Sequence, residues 1–148
     1  MKKITFVLLT GILFAISISC KKEVPAGCTD PIADNFDPDA EKYDGSCVYS
    51  GEAVIWYDQV VASNLVNDGA QALRFYVDGS LYGSQAAAVY YVSEPHCGYP
   101  GSITISKDLG SSKNKSYNVR IMDQTNWIYW DFNINIEANE CNSIKLGW

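Results

Sequence analysis

The chain has 148 residues, of which 47% are hydrophobic and 19% are charged, and its formal net charge is −6. This length suits one ordinary domain with a small appendage. The acidic balance argues against nucleic acid and anionic lipid surfaces as partners, because both carry negative charge themselves.

The first residues have the pattern of an export leader. Lys2 and Lys3 give it a positive start, and the apolar run 4–18 is shorter than the roughly 20 residues that a membrane-spanning helix needs. Residues 17–20 (Ser-Ile-Ser-Cys) place small side chains before a cysteine, which resembles the lipobox of bacterial lipoproteins. An ordinary secretory signal, cut near Ser19, is the alternative.

We therefore predict that residues 1–19 are a lipoprotein signal peptide and that Cys20 carries the lipid. Two or more acyl chains anchor a protein stably, whereas a single chain binds only marginally. Residues 20–27 are then a flexible tether. We expect a lipid-anchored protein of the cell envelope, attached to the outer membrane, and the choice between its periplasmic face and the cell surface stays open.

The remaining cysteines form an even set once Cys20 is assigned to the lipid. Cys28, Cys47, Cys97 and Cys141 allow three connectivities. The pairs Cys28–Cys47 and Cys97–Cys141 each fall within one compositional segment, so we predict these two disulfides, which persist outside the cytoplasm. A zinc site is the competing interpretation, but the chain has no CxxC pattern and only one histidine.

The segment between Cys28 and Cys47 is rich in acidic residues and turns. Its Asp-Pro and Asp-Gly pairs mark turns, and its few apolar side chains cannot form a core, so the disulfide must hold it together. Closely spaced carboxylates suit calcium, although the spacing of an EF-hand loop is absent. A solvated acidic turn is the alternative. The candidate calcium ligands are Asp30, Asp34, Asp37, Asp39 and Asp44.

Residues 27–49 resemble a short module of exported Bacteroidetes proteins with the pattern GCTDPxAxNYxPxAxxDDGSCxY. Phe36 and Tyr43 stand where that module has tyrosine and aspartate. The rest of the chain resembles the C-terminal β-domain of small flavobacterial lipoproteins, for example in the stretches 75–79 and 95–98. The resemblance implies export and lipid attachment, and it implies no defined activity.

Residues 51–148 have the pattern of a β domain. Apolar and polar side chains alternate over 128–136, and the runs 73–77 and 80–84 flank an Asp-Gly pair, which predicts a hairpin. The stretch 60–70 fits either a loop or a short helix. Further strands are predicted over 53–57, 87–92, 103–106, 117–121 and 142–146. The predicted fold class is all-β, an antiparallel β-sandwich of about seven or eight strands, preceded by the acidic module at 28–49.

The sequence contains none of the common catalytic motifs. It has no nucleophile elbow, P-loop or dinucleotide fingerprint, and the lone histidine, His96, stands beside a predicted disulfide. We therefore predict no catalytic residues and no enzyme.

Aromatic side chains are the remaining indication of function. The alternation in 128–136 turns Trp127 and Tyr129 outward, where they can stack on sugar rings or contact a protein, or simply pack across strands. The predicted function is a membrane-anchored, non-enzymatic binding or adhesion module with a glycan or protein ligand. The alternative is a structural envelope component whose acidic loop binds calcium, and the sequence suggests no other cofactor.

Overall fold

The computed structural model describes residues 23–148, so the expectations for the leader and for Cys20 lie outside the described residues. This part of the chain contains nine strands and one helix. In chain order they are β1 (Ala26–Gly27), β2 (Lys42–Tyr43), β3 (Tyr49–Trp56), α1 (Gln59–Asn67), β4 (Ala72–Val77), β5 (Ser80–Ala86), β6 (Ile103–Gly110), β7 (Asn114–Asp123), β8 (Ile128–Glu137) and β9 (Cys141–Lys145).

The seven strands β3 to β9 form two sheets. One sheet has the order β6-β3-β9 and the other the order β5-β4-β7-β8. The pairs are antiparallel except β3 with β9, which is parallel because the chain crosses from one sheet to the other after β8. The predicted all-β sandwich is confirmed, and the parallel β9 is a departure from the purely antiparallel arrangement expected.

The core lies between the two sheets. Leu73, Phe75 and Val77 of β4 alternate with half-exposed neighbours and are almost completely buried, as are Val119 and Ile121 of β7. This is the period of two that a strand imposes when one face meets the core. The Asp-Gly hairpin between β4 and β5 forms as predicted, with positive φ at both turn residues.

Strand β3 is covered on both faces. Ile55 faces the core, and Val54 and Trp56, which point the other way, are also buried. The disulfide Cys97–Cys141 lies on this second face, because Cys141 pairs in register with a β3 residue of the same orientation. The segment between β5 and β6 is thereby held against the outside of the smaller sheet.

The helix α1 resolves the ambiguity of 60–70. Asp58 caps it, since the carboxylate accepts hydrogen bonds from the backbone amides of Val60 and Val61. Val61, Ala62 and Leu65 are buried and attach the helix to the core.

The strand predicted over 87–92 is wrong. Its backbone makes isolated contacts instead of a ladder: the Tyr91 amide donates to the Tyr57 carbonyl, and the Ala87 carbonyl accepts from the Tyr57 hydroxyl. Ala87 is buried and Tyr91 contacts Tyr57 just beyond β3, whereas Val92 is 94% exposed, so this run does not add a strand to a sheet.

The acidic module is a compact unit attached to the sandwich. β1 pairs with β2, so the last residues of the predicted tether belong to the module. The Cys28–Cys47 disulfide is buried inside it, and both predicted disulfides are confirmed. Asp30 joins the module to the sandwich through Lys113 Nζ at 2.6 Å and the Tyr49 hydroxyl at 2.8 Å.

The strand registers separate two ends of the sandwich. At the module end, Tyr49 pairs with Gly110, and Lys113 reaches the module. At the distal end, β7 finishes at Asp123 and β9 at Lys145, whose ammonium group contacts the residue that caps α1. The turn between β7 and β8 is therefore at the opposite end from the module.

The contacts at Gly51 show how closely β3 of one sheet approaches β8 of the other. A Cβ atom there would lie 2.2 Å from the Glu137 carbonyl oxygen and 2.8 Å from Ile136 Cγ2. Because the nearer atom belongs to the backbone, Gly51→Ala should lower the free energy of unfolding by about 1–3 kcal/mol. Gly147→Ala is the control, since no atom lies within 4 Å of its Cβ. Denaturant titrations that show equal stability for the two variants would contradict this packing.

Candidate functional site

A buried carboxylate organises the turn between β7 and β8. Asp123 is only 5% exposed, and its Oδ1 accepts hydrogen bonds from the Thr125 amide at 2.8 Å, the Thr125 hydroxyl at 2.7 Å and the Trp127 amide at 2.9 Å. Burial alone would raise the pKa of Asp123, but the bonds from Thr125 and Trp127 outweigh burial and hold this pKa below its usual value. The ionised carboxylate fixes the backbone from which Trp127 projects.

Neighbouring side chains hold the same turn from outside. The Arg74 guanidinium donates to the Asp123 carbonyl and, at 2.9 Å, to the Asn126 side chain. Asn126 has a φ of 73°, a left-handed conformation that asparagine tolerates better than most residues. The Gln124 side-chain amide donates to the Gly69 carbonyl, just beyond α1, at 3.0 Å. The turn is therefore tied to β4 and to the end of the helix.

Tyr129 lies beside this turn and is half-buried. Its hydroxyl donates to Asp68 Oδ2 at 2.8 Å. Its ring centroid is 5.7 Å from that of Trp130 and 5.9 Å from that of Trp148, with planes tilted by 39° in both pairs. Trp130 Nε1 donates to the Gly147 carbonyl at 3.0 Å, which keeps Trp148 next to Tyr129.

Trp127, Tyr129 and Trp148 form what we call the aromatic surface, at the distal end. Trp127 is 63% exposed and Trp148 is 61% exposed. A cavity of about 320 Å³ borders it, and no lysine or arginine of residues 23–148 lines this cavity. Its lining consists of Asp68, Gly69, Asp123, Gln124, Thr125, Trp127 and Tyr129.

The sequence singled out two of these three aromatic residues. Trp127 points into solvent as expected, whereas Tyr129 is packed against the core on one side and reaches Asp68 on the other. Trp148 was not among the candidates. It follows the last strand, where no alternation signals its direction, and its position depends on β9 running parallel to β3.

Four of the five candidate calcium ligands use their carboxylates in separate local contacts, and Asp39 donates its backbone amide to Asp37. Asp30 binds Lys113 and Tyr49, Asp34 accepts from Ser50, and Asp37 and Asp44 each accept from a backbone amide two residues ahead. Within residues 23–148 no group of three or more His, Cys, Asp or Glu side chains is placed to hold a metal ion. Calcium binding by this loop stays a prediction from the sequence.

Comparison with known proteins gives short matches. No protein-family model and no solved structure matches the chain. Ribulose bisphosphate carboxylase/oxygenase activase is 67% identical over 27 residues in both Arabidopsis thaliana and Oryza sativa subsp. japonica, and an activase of Larrea tridentata is 69% identical over 26 residues. These matches cover 18% of this chain and 6% of the relatives. They carry no conclusion about its function.

Two features of the described part bear on the compartment. The two disulfides fit an extracytoplasmic location, because such bonds persist where thiols are not kept reduced. No helix among residues 23–148 is long and apolar enough to cross a membrane.

The contact between Tyr129 and Asp68 has a measurable titration. Burial, together with the bond to Asp68, raises the pKa of Tyr129 to about 12. This folded-state pKa lies above the ordinary value of 10. The contribution of the protonated Tyr129 to stability is therefore complete below pH 10 and is lost as the pH rises toward 12. Asp68→Asn should lower the pKa of Tyr129, as measured by phenolate absorbance.

Tyr57 supplies the internal reference for that titration. Its pKa is also raised to about 12, by burial in the core, and it does not contact Asp68. In Asp68→Asn, Tyr57 should therefore still ionise at high pH, while Tyr129 should ionise at a lower pH than in the wild type. The Tyr129→Phe variant identifies the Tyr129 signal, because it lacks that phenol. Superimposable titration curves for the wild type and Asp68→Asn would refute the contact.

Proposed function

We propose that the protein is a lipid-anchored, non-enzymatic binding module of the cell envelope that holds a saccharide against its aromatic surface. The observation that carries the proposal is the exposure of Trp127 and Trp148 beside Tyr129. Large aromatic side chains exposed together commonly mark an interaction site. A sugar ring has an apolar face that stacks on such rings and hydroxyl groups around its edge.

The cavity beside the rings supports a hydroxylated ligand. Asp68 uses one carboxylate oxygen for Tyr129, and its other oxygen can accept from a ligand hydroxyl in a charge-assisted bond. The Thr125 hydroxyl donates to Asp123 and keeps its capacity to accept. Since no basic side chain in the described part of the chain lines this cavity, an acidic saccharide would meet no opposite charge there. We therefore propose a neutral saccharide.

The rigidity of the turn supports binding without a large ordering cost. Asp123, Arg74 and Gln124 fix the backbone around Trp127 before any ligand arrives. A surface that is already ordered loses less conformational entropy on binding. The same three side chains are engaged within the protein, so their role toward the ligand is to shape the site.

The proposed anchor agrees with the position of the surface. An acylated Cys20 would lie a few residues before β1, which belongs to the module. Strand β7 has 10 residues between the module end and the turn, which corresponds to about 30 Å. The aromatic surface would then face away from the outer membrane.

Binding to immobilised neutral polysaccharides tests the aromatic surface. Trp127→Ala and Trp148→Ala should each weaken binding by about fivefold or more, because a ring contact contributes about 1 kcal/mol beyond its buried area. Tyr43→Ala is the matched control, since Tyr43 is 57% exposed but lies in the module at the other end. Unchanged binding in the double tryptophan variant, or no saccharide bound by the wild type, would overturn the proposal.

Replacement of Cys20 tests the anchor. Cys20→Ser should abolish acylation and move the protein from the membrane fraction to the soluble fraction. Stable attachment needs more than one acyl chain, and this variant would carry none. Mass spectrometry of the mature N-terminal peptide should show acyl groups on Cys20 in the wild type alone. An unmodified cysteine in the wild type would favour the ordinary secretory signal.

A further inference from the structure

A second group of rings lies in the segment between β5 and β6. Tyr91, His96 and Tyr99 form what we call the ring cluster. The Tyr99 centroid is 5.9 Å from that of Tyr91 and 5.5 Å from that of His96, with planes at 84° and 73°. Tyr99 therefore stands nearly perpendicular to both neighbours, and the three rings form walls and not a flat platform.

The rings border a small cavity of about 140 Å³, which is far larger than the roughly 10–15 Å³ that one water needs. Glu94 lines this cavity, and among the residues that the structure describes no lysine or arginine does. The remaining lining consists of Val92, Ser93 and Pro95.

The backbone around the ring cluster is held in place. The disulfide Cys97–Cys141 fastens it to β9. The Gly98 amide donates to Thr104 Oγ1 at 2.9 Å. The Tyr91 amide donates to the Tyr57 carbonyl, just beyond β3, at 3.0 Å. The cavity is therefore formed before any ligand binds.

We propose that the ring cluster binds a small organic cation that carries a quaternary ammonium group. The faces of aromatic rings attract cations, and three rings border this one cavity. Glu94 supplies the opposite charge at the same cavity. A quaternary ammonium has no N–H groups to satisfy, so an apolar wall of rings and Pro95 suits it better than a primary ammonium.

Some lysines of the protein itself lie over aromatic rings. Lys107 Nζ lies 5.3 Å from the Tyr82 ring and 5.2 Å from the Tyr117 ring, and Lys145 Nζ lies 5.2 Å from the Trp56 ring. Among residues 23–148, no lysine or arginine is placed over a ring of the ring cluster. No basic side chain of the described residues therefore competes with an external cation for these rings.

The ring cluster and the aromatic surface differ in geometry. The Tyr129 and Trp148 planes are tilted by 39°, which gives an open surface for an extended ligand. The ring cluster instead has near-perpendicular planes around a half-open cavity. The two sites therefore suit different ligands, and the cation site does not depend on saccharide binding.

Titration of the purified protein with choline chloride and tetramethylammonium chloride tests the site, at constant ionic strength. We expect saturable binding, with NMR shifts concentrated on Tyr91 and Tyr99. The uncharged isostere of choline, in which carbon replaces the quaternary nitrogen, should bind at least about tenfold more weakly because it lacks the cation–π attraction. Absence of saturable binding, or equal binding of the isostere, would overturn the proposal.

Variants locate the site. Tyr99→Leu should weaken choline binding by about tenfold, since it removes the central ring. Glu94→Gln should weaken choline binding severalfold, although this variant preserves the shape of the side chain. If Tyr99→Leu does not fold, Glu94→Gln decides the test. Tyr90→Leu, an exposed neighbour that lines a different groove against α1, and Trp148→Ala should bind choline normally. Normal binding in Tyr99→Leu and Glu94→Gln would refute the assignment.

Discussion

The pairing of β3 on both edges and its burial on both faces position the smaller sheet, the module and the helix. β6 and β9 pair with its two edges, and β8 packs close enough over Gly51 that only a glycine fits. Its first residue, Tyr49, contacts the module, and its last leads through Tyr57 and Asp58 into α1. Without this strand the smaller sheet, the module and the helix would share no common support.

Carboxylates have a structural role at each of these junctions. Asp58 caps α1 and binds Lys145, and Asp123 closes the turn that carries Trp127. Asp30 connects the module to the sandwich through Lys113. The pKa of each of these carboxyls lies below its usual value: for Asp30 and Asp58 because a lysine binds it, and for Asp123 because hydrogen bonds outweigh burial. These three carboxylates therefore stabilise the fold.

Local signals in the sequence predicted the sandwich and both disulfides, and longer-range relations decided the rest. The alternation in β8 and the Asp-Gly turn need only neighbouring residues, so they could be read directly. The run 87–92 is as apolar as a strand, but its position beside Tyr57 leaves it no partner strand. Trp148 and the ring cluster depend on β9 and on the disulfide Cys97–Cys141, whose placement no local pattern contains.

The parallel pairing of β3 and β9 has a mechanical consequence. A membrane anchor before β1 would pull on β3 from the module end, and a ligand on Trp148 would pull on β9 from the distal end. Two parallel strands loaded at opposite ends are sheared along their length, so the paired residues from Glu52–Cys141 to Trp56–Lys145 resist together. The Cys28–Cys47 bond carries the same load past the acidic loop. The topology therefore suits a protein under tension.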